Sequence, residues 1–151
     1  MRVCVGGRRR REESKILFLC VGSLLAAGPE CKDKKVSPEI RQQILDFHKQ
    51  RREGKAVEWD CGLEDKARGI LKTGKSGKID TSKVSKNRGV NVREFRKEFE
   101  DAKTFVDRAL RHWWSSDLNS KKNMANPQNK KIGCSYKEDD VFFLVACFYE
   151  K

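Results

Sequence analysis

Two histidines, two adjacent serines, three tryptophans, a set of cysteines and a lysine-rich stretch are the residues of this chain that could do chemistry. Ser115 and Ser116 lie next to His112, which suggests a hydrolase, but a triad also needs an acid that orients the histidine. No acid stands at a recognisable spacing, and paired serines after a helix are ordinary capping material. His48 and His112 are the only histidines. Two imidazoles without a convergent carboxylate or thiolate do not make a metal site. His48 falls on the apolar face of a helical pattern and reads as a hydrogen-bonded core residue, whereas His112 falls on a polar side and reads as solvated. No catalytic residue, metal ligand or cofactor is expected.

The aromatic and basic residues point to binding. Trp113 and Trp114 project about 100° apart on a helix, so one can face a core while the other reaches the surface. Trp59 and Trp113 read as core, Trp114 as a candidate contact residue. Lys72, Lys75, Lys78, Lys83, Lys86 and Arg88 lie in one stretch with only Asp80 against them. Such a run is usually a solvated loop; in its sharper reading it is a patch for an acidic partner, a glycosaminoglycan or a phospholipid head group. No aromatic residues interleave it as a single-strand nucleic-acid binder requires, so nucleic acid is not expected.

The elements that must position these residues begin after a targeting segment. Arg8 to Arg11 and Lys15 precede the apolar run from Ile16 to Ala27, which exits through Ala26, Ala27 and Gly28. This is the build of a secretory signal over residues 1–28, too short to span a bilayer. Its removal takes six basic and two acidic residues from the 34 and 22 of the whole chain, leaving a charge of about +8. Residues 29–151 then form a single domain, expected to be secreted. Cys31, Cys61, Cys134 and Cys147 remain and read as two disulfides with three possible pairings. Oxidised, they offer no thiolate nucleophile.

Ser37, Pro38 and Glu39 open a helix, with Ile40, Ile44, Leu45 and His48 in period and Gly54 as its stop. Leu63 to Leu71 fits a short second helix. Residues 72–89 read as a long loop. Phe95, Phe99, Ala102, Val106, Ala109, Leu110 and Trp113 mark a long amphipathic helix. Residues 119–131 read as polar and turn-like. A hairpin closes the chain: Ile132 to Tyr136, a turn at 137–140, and Val141 to Tyr149, apolar enough to be a central strand buried on both faces. Helices before a C-terminal antiparallel hairpin give an α+β class.

Several of these stretches resemble the CAP superfamily of cysteine-rich secretory and venom-allergen-like proteins. Ile44-Leu-Asp-Phe-His-Lys-Gln-Arg-Arg52 looks like its opening helix. Glu58-Trp-Asp-Cys-Gly-Leu-Glu-Asp-Lys-Ala67 is similar to its tryptophan–aspartate segment, in a form like that of parasitic-nematode members. Ala109 to Ser116 looks like the end of its long helix, and Lys131-Ile-Gly-Cys134 with Ala146-Cys147-Phe-Tyr149 like its terminal hairpin. The resemblance implies a reduced α-β-α sandwich and the disulfides Cys134–Cys147, across the hairpin, and Cys31–Cys61, holding the lead-in to the second helix. Family members with a full cavity place two histidines and two acids there for a divalent metal. Here Val90, Ser116 and Ser120 stand at three of those positions, and no histidine lies between His48 and His112, so the whole set is replaced. The expected function is that of a secreted, non-enzymatic binding protein engaging a host or extracellular protein. The alternative is a lipid or sterol carrier with an apolar groove under the 72–92 loop, near Val90, Phe95 and Phe99.

Overall fold

The computed structural model describes residues 28–72 and 89–151. Ser37 caps the first helix, α1 (Pro38–Arg51), its hydroxyl accepting from the Ile40 amide at 3.3 Å, with Pro38 in the first turn where a missing N–H is harmless. The chain leaves α1 through Glu53 (φ 53°) and Gly54 (φ 83°), both in the left-handed region. Gly54 adopts it freely; Glu53 does so against its Cβ. A two-residue strand, β1 (Glu58–Trp59), leads into α2 (Cys61–Lys72).

Gly89–Arg96 forms strand β2, followed by α3 (Ala102–Ser115), α4 (Leu118–Ala125), β3 (Lys131–Glu138) and β4 (Phe142–Glu150). Two expectations change here. Phe95 and Phe99 keep helical spacing with Ala102 and Val106, but Phe95 belongs to β2, paired with Phe143 of β4, and Phe99 lies in the connection, fully exposed. The helix starts only where the Asp101 carboxylate accepts from the Thr104 amide at 2.8 Å, a local N-cap that outweighs the periodicity. Residues 118–125 form a helix rather than a turn because Asp117 caps it, accepting from the amides of Asn119 and Ser120.

The sheet order is β1-β3-β4-β2, with β1 parallel to β3 and the other pairs antiparallel. The hairpin strands run slightly longer than their apolar cores suggest, and β4 is central as its composition implies. Its side chains divide strictly by parity. Phe143, Val145, Cys147 and Tyr149 enter the larger core with α1, α3 and α4; Leu144, Ala146 and Phe148 enter the smaller one with Leu63, Ala67 and Leu71 of α2. The result is an α-β-α sandwich of α+β class, with strands also between the helices. Gly133 lets α2 lie directly on β3, because a Cβ there would overlap the Glu64 amide and stand 2.5 Å from the Leu63 carbonyl carbon. An aromatic ladder runs through the larger core, Tyr136 on Phe143 (5.2 Å between centroids) and Phe143 on Phe105 (4.5 Å). Cys31 is bonded to Cys61 and Cys134 to Cys147, the pairing the resemblance implies. Arg41 and Glu64 form an ion pair sealed between α1 and α2.

Candidate functional site

The polar residues of the interior collect where α1, α4 and β2 meet the end of β4. His48 Nδ1 lies 2.7 Å from the Ile44 carbonyl, which can only accept, so that nitrogen carries the proton. Nε2 is then an acceptor, and the Tyr149 hydroxyl 3.2 Å away donates to it. The Tyr149 oxygen in turn accepts from Asn91 Nδ2 at 3.4 Å, which also donates to the Ser120 carbonyl at 3.1 Å. Asn123 Nδ2 donates to Asn91 Oδ1 at 2.8 Å, and Asn129 Nδ2 to the Asn123 carbonyl at 2.9 Å. Arg52 Nη2 closes the chain on the carbonyls of Asn126 (2.6 Å) and Asn129 (3.0 Å).

This network tolerates one protonation state. Burial, which disfavours charge, pushes the His48 pKa down to about 4; the Ile44 carbonyl opposes the shift and the Arg52 cation adds to it. Burial also pushes the Tyr149 hydroxyl far above its ordinary value, against the pull of Arg52 and the Asn91 hydrogen bond. A protonated His48 would turn Nε2 into a donor and leave the Tyr149 O–H without its acceptor. At neutral pH His48 and Tyr149 are both uncharged and bonded to each other, in a relay of amides, phenol and imidazole that ends on the Arg52 cation.

Val90, Ser116 and Ser120, the positions the resemblance matches to metal ligands, do not converge on one point. Val90 points away from the network and packs on the smaller core, because alternate residues of β2 face opposite sides of the sheet. Ser116 is exposed at the end of α3, its amide bonded to the His112 carbonyl at 2.8 Å. Ser120 is buried on α4 with its hydroxyl donating to Asp117 at 2.8 Å; hydrogen bonds from Ser120 hold the Asp117 carboxyl below the usual carboxylate range. Both ring nitrogens of His48 are engaged, and among the described residues no three His, Cys, Asp or Glu side chains converge. Among the described residues, these side chains do not assemble a site for a divalent metal.

Several expected residues gain definite places. His48 is buried and hydrogen-bonded; Trp113 is fully buried and donates to the Val92 carbonyl at 3.4 Å. Trp59 is half-buried, with its Nε1 bonded to Glu64 at 2.9 Å. Trp114 is half-buried with Lys121 Nζ 5.2 Å over its ring. Ser115 donates to the Arg111 carbonyl at 2.7 Å and serves the helix end. Lys72 ends α2 at the surface, while Lys75, Lys78, Lys83, Lys86, Arg88 and the signal segment 1–27 lie outside the described residues. The apolar groove expected near Val90, Phe95 and Phe99 is not formed by those three. Val90 joins the smaller core, Phe95 packs on the larger, and Phe99 stands in solvent.

Asn91, Asn123, Asn129, Tyr149, Arg52, Arg41 and Glu64 are the interior polar residues that sequence reasoning missed. Arg41, Ile44 and His48 share one helical stripe, so Arg41 was findable as a charge within an apolar face. The asparagines at 119, 123, 126 and 129 form a cluster that reads as loop unless a capped helix is recognised within it.

This three-layer sandwich, with α2 on one face of a mixed sheet, three helices on the other and a disulfide across its terminal hairpin, is that of the CAP superfamily. The chain belongs to the Ancylostoma-associated secreted protein related family, whose model matches residues 28–149. It is 25% identical over 170 aligned positions to the Ancylostoma secreted protein of Ancylostoma caninum, covering 88% of this chain and 39% of that protein. The chain thus spans about two-fifths of the length of that curated relative. Among solved structures, NaASP2 with Zn2+ superposes with a TM-score of 0.68 at 18% identity, over 80% of this chain and 83% of that one. The Ancylostoma-secreted protein Ac-ASP-7 does so with a TM-score of 0.60 at 25% identity, over 82% and 75%.

Proposed function

We propose that the protein is secreted and works as a non-enzymatic binding protein, meeting an extracellular partner with its surface rather than processing a substrate inside. The observation that carries this reading is the interior network. His48, Tyr149, Asn91 and Asn123 satisfy one another, and buried polar groups that are fully paired have nothing left to offer a ligand. Export fits the two disulfides, the secreted relative, and the lack of any described helix long and apolar enough to cross a membrane. Trp114 with Lys121 and the basic residues from Lys72 onward are the contact surface this reading favours.

Zinc titration by calorimetry together with capture from host extracellular fluid tests it. The expected result is no saturable zinc uptake and retention of a defined protein that Trp114→Ala weakens. A tight one-to-one zinc site, or hydrolytic turnover abolished by His48→Gln, would reject the reading.

A further inference from the structure

Arg52 is a buried cation with two of its three guanidinium nitrogens left without hydrogen-bond partners. Its residue is 7% exposed, and only Nη2 has partners, the carbonyls of Asn126 and Asn129. Nε and Nη1 are shielded from solvent and have none, so three of the five guanidinium N–H donors are unmet. Burying a charge in that condition is costly. Burial already lowers the Arg52 pKa from its ordinary value. Arg52 also forms part of the wall of a cavity of about 220 Å³ between the end of α1 and the turn after α4, lined by Arg51, Arg52, Glu53, Lys55, Ala125 and Pro127.

We infer that this cavity is a binding site for a small oxyanion, a sulfate or phosphate group, held against Arg52 with Arg51 and Lys55 at its rim. Three cations face one acid, Glu53. Arg51 is steadied by its position 5.2 Å over the Phe47 ring. The left-handed turn at Glu53 and Gly54 folds Lys55 back, its amide bonded to the Arg52 carbonyl at 3.1 Å. A neutral ligand would leave the guanidinium charge uncompensated, whereas an oxyanion in the cavity supplies the missing counter-charge. The volume is below the range of drug-sized ligand pockets, so it takes one anionic group and not an acyl chain or a peptide segment. The site adjoins the relay around His48 through Arg52 and stands whether or not the protein acts as a secreted binder.

Two-dimensional amide NMR of the purified protein, titrated with sodium sulfate or sodium phosphate against sodium chloride at matched ionic strength, tests the site. Saturable shifts confined to residues 51–55 and 126–129, accompanied by a higher unfolding midpoint than chloride gives, are expected. Arg51→Ala/Lys55→Ala should weaken the apparent affinity at least tenfold and leave the ligand-free midpoint unchanged. Arg52→Gln should abolish the effect; should that variant fail to fold, the rim variant still decides. Repeating the titration with glucosamine 6-sulfate and glucose 6-phosphate shows which ester the site prefers, and saturable binding of either supports it. Shifts equal to those in chloride, or a sulfate response untouched in the rim variant, overturn the inference and leave Arg52 a structural cation.

Discussion

Arg41 and Glu64 meet across the joint of α1 and α2 through two hydrogen bonds of 2.8 and 2.9 Å, with both side chains only 2% exposed. Arg41 spends its other donors on the carbonyls of Pro29 (2.9 Å) and Asp33 (2.8 Å), while Glu64 also accepts from Trp59 (2.9 Å). One buried pair thus ties the N-terminal lead-in, β1 and both helices into a corner that the Cys31–Cys61 bond closes covalently.

Breaking that pair from one side strands the other charge. Glu64→Gln is expected to cost about 3–5 kcal/mol, read as a lower urea midpoint at unchanged slope. Arg41→Met/Glu64→Leu should recover part of the loss, because neither charge is then left alone. A Glu64→Gln loss below 1 kcal/mol would mean that the corner is held by the disulfide instead.

The His48 relay makes stability pH-dependent in a defined window. Its folded pKa of about 4 lies below the unfolded value of 6.5, so the unfolded chain binds the proton first. The contribution is therefore complete above pH 6.5 and drains away as pH falls toward 4, by about 3 kcal/mol in all. Asp101, Asp117 and Asp139, whose carboxyls are lowered by hydrogen bonds, lose theirs only below the usual carboxylate range. Denaturation curves at pH 7.5, 6, 5 and 4 should show the first decline in the wild type and a flatter profile in His48→Gln.

Two glycines should respond oppositely to the same change. At Gly133 an added methyl meets the backbone of α2, which cannot move aside, so Gly133→Ala is expected to destabilise by about 2–3 kcal/mol. Gly69 sits exposed within α2 with nothing in reach of a Cβ; Gly69→Ala should stabilise by about 0.5–1 kcal/mol. Thermal unfolding of the two variants side by side checks both signs.

The disulfides should separate under mild reductant. Cys61 is exposed and Cys31 half-exposed, whereas Cys134 and Cys147 are at most 1% exposed beneath the helices. Thiolate attack requires access, so alkylation mapping after limited dithiothreitol should label Cys31 and Cys61 well before the other pair. Simultaneous labelling would show that the domain opens as a unit.

The Ser37 cap and the two-sided burial of β4 were the features most legible in the sequence. Ser37 with Pro38, and the continuous apolar run of β4, each follow from local chemistry that tertiary contacts reinforce. β2 was hidden because Gly89, Asn91, Arg93, Glu94 and Arg96 make it a polar strand, whose order comes from its ladder with β4 rather than from its composition. α4 was hidden because a weakly apolar helix depends on its Asp117 cap and on Met124 reaching the core. The relay around His48 could not be read, since Asn91, Asn123 and Tyr149 are far apart in sequence and meet only through the fold.

β4 is the last element to be synthesised among those described, yet it is the strand on which both cores and two of the three strand pairings depend. No nascent chain ending before residue 142 can therefore pack either helical layer against a completed sheet, and the Cys134–Cys147 bond cannot form until Cys147 emerges 13 residues later. Closure of both cores is consequently a late event in the synthesis of this domain.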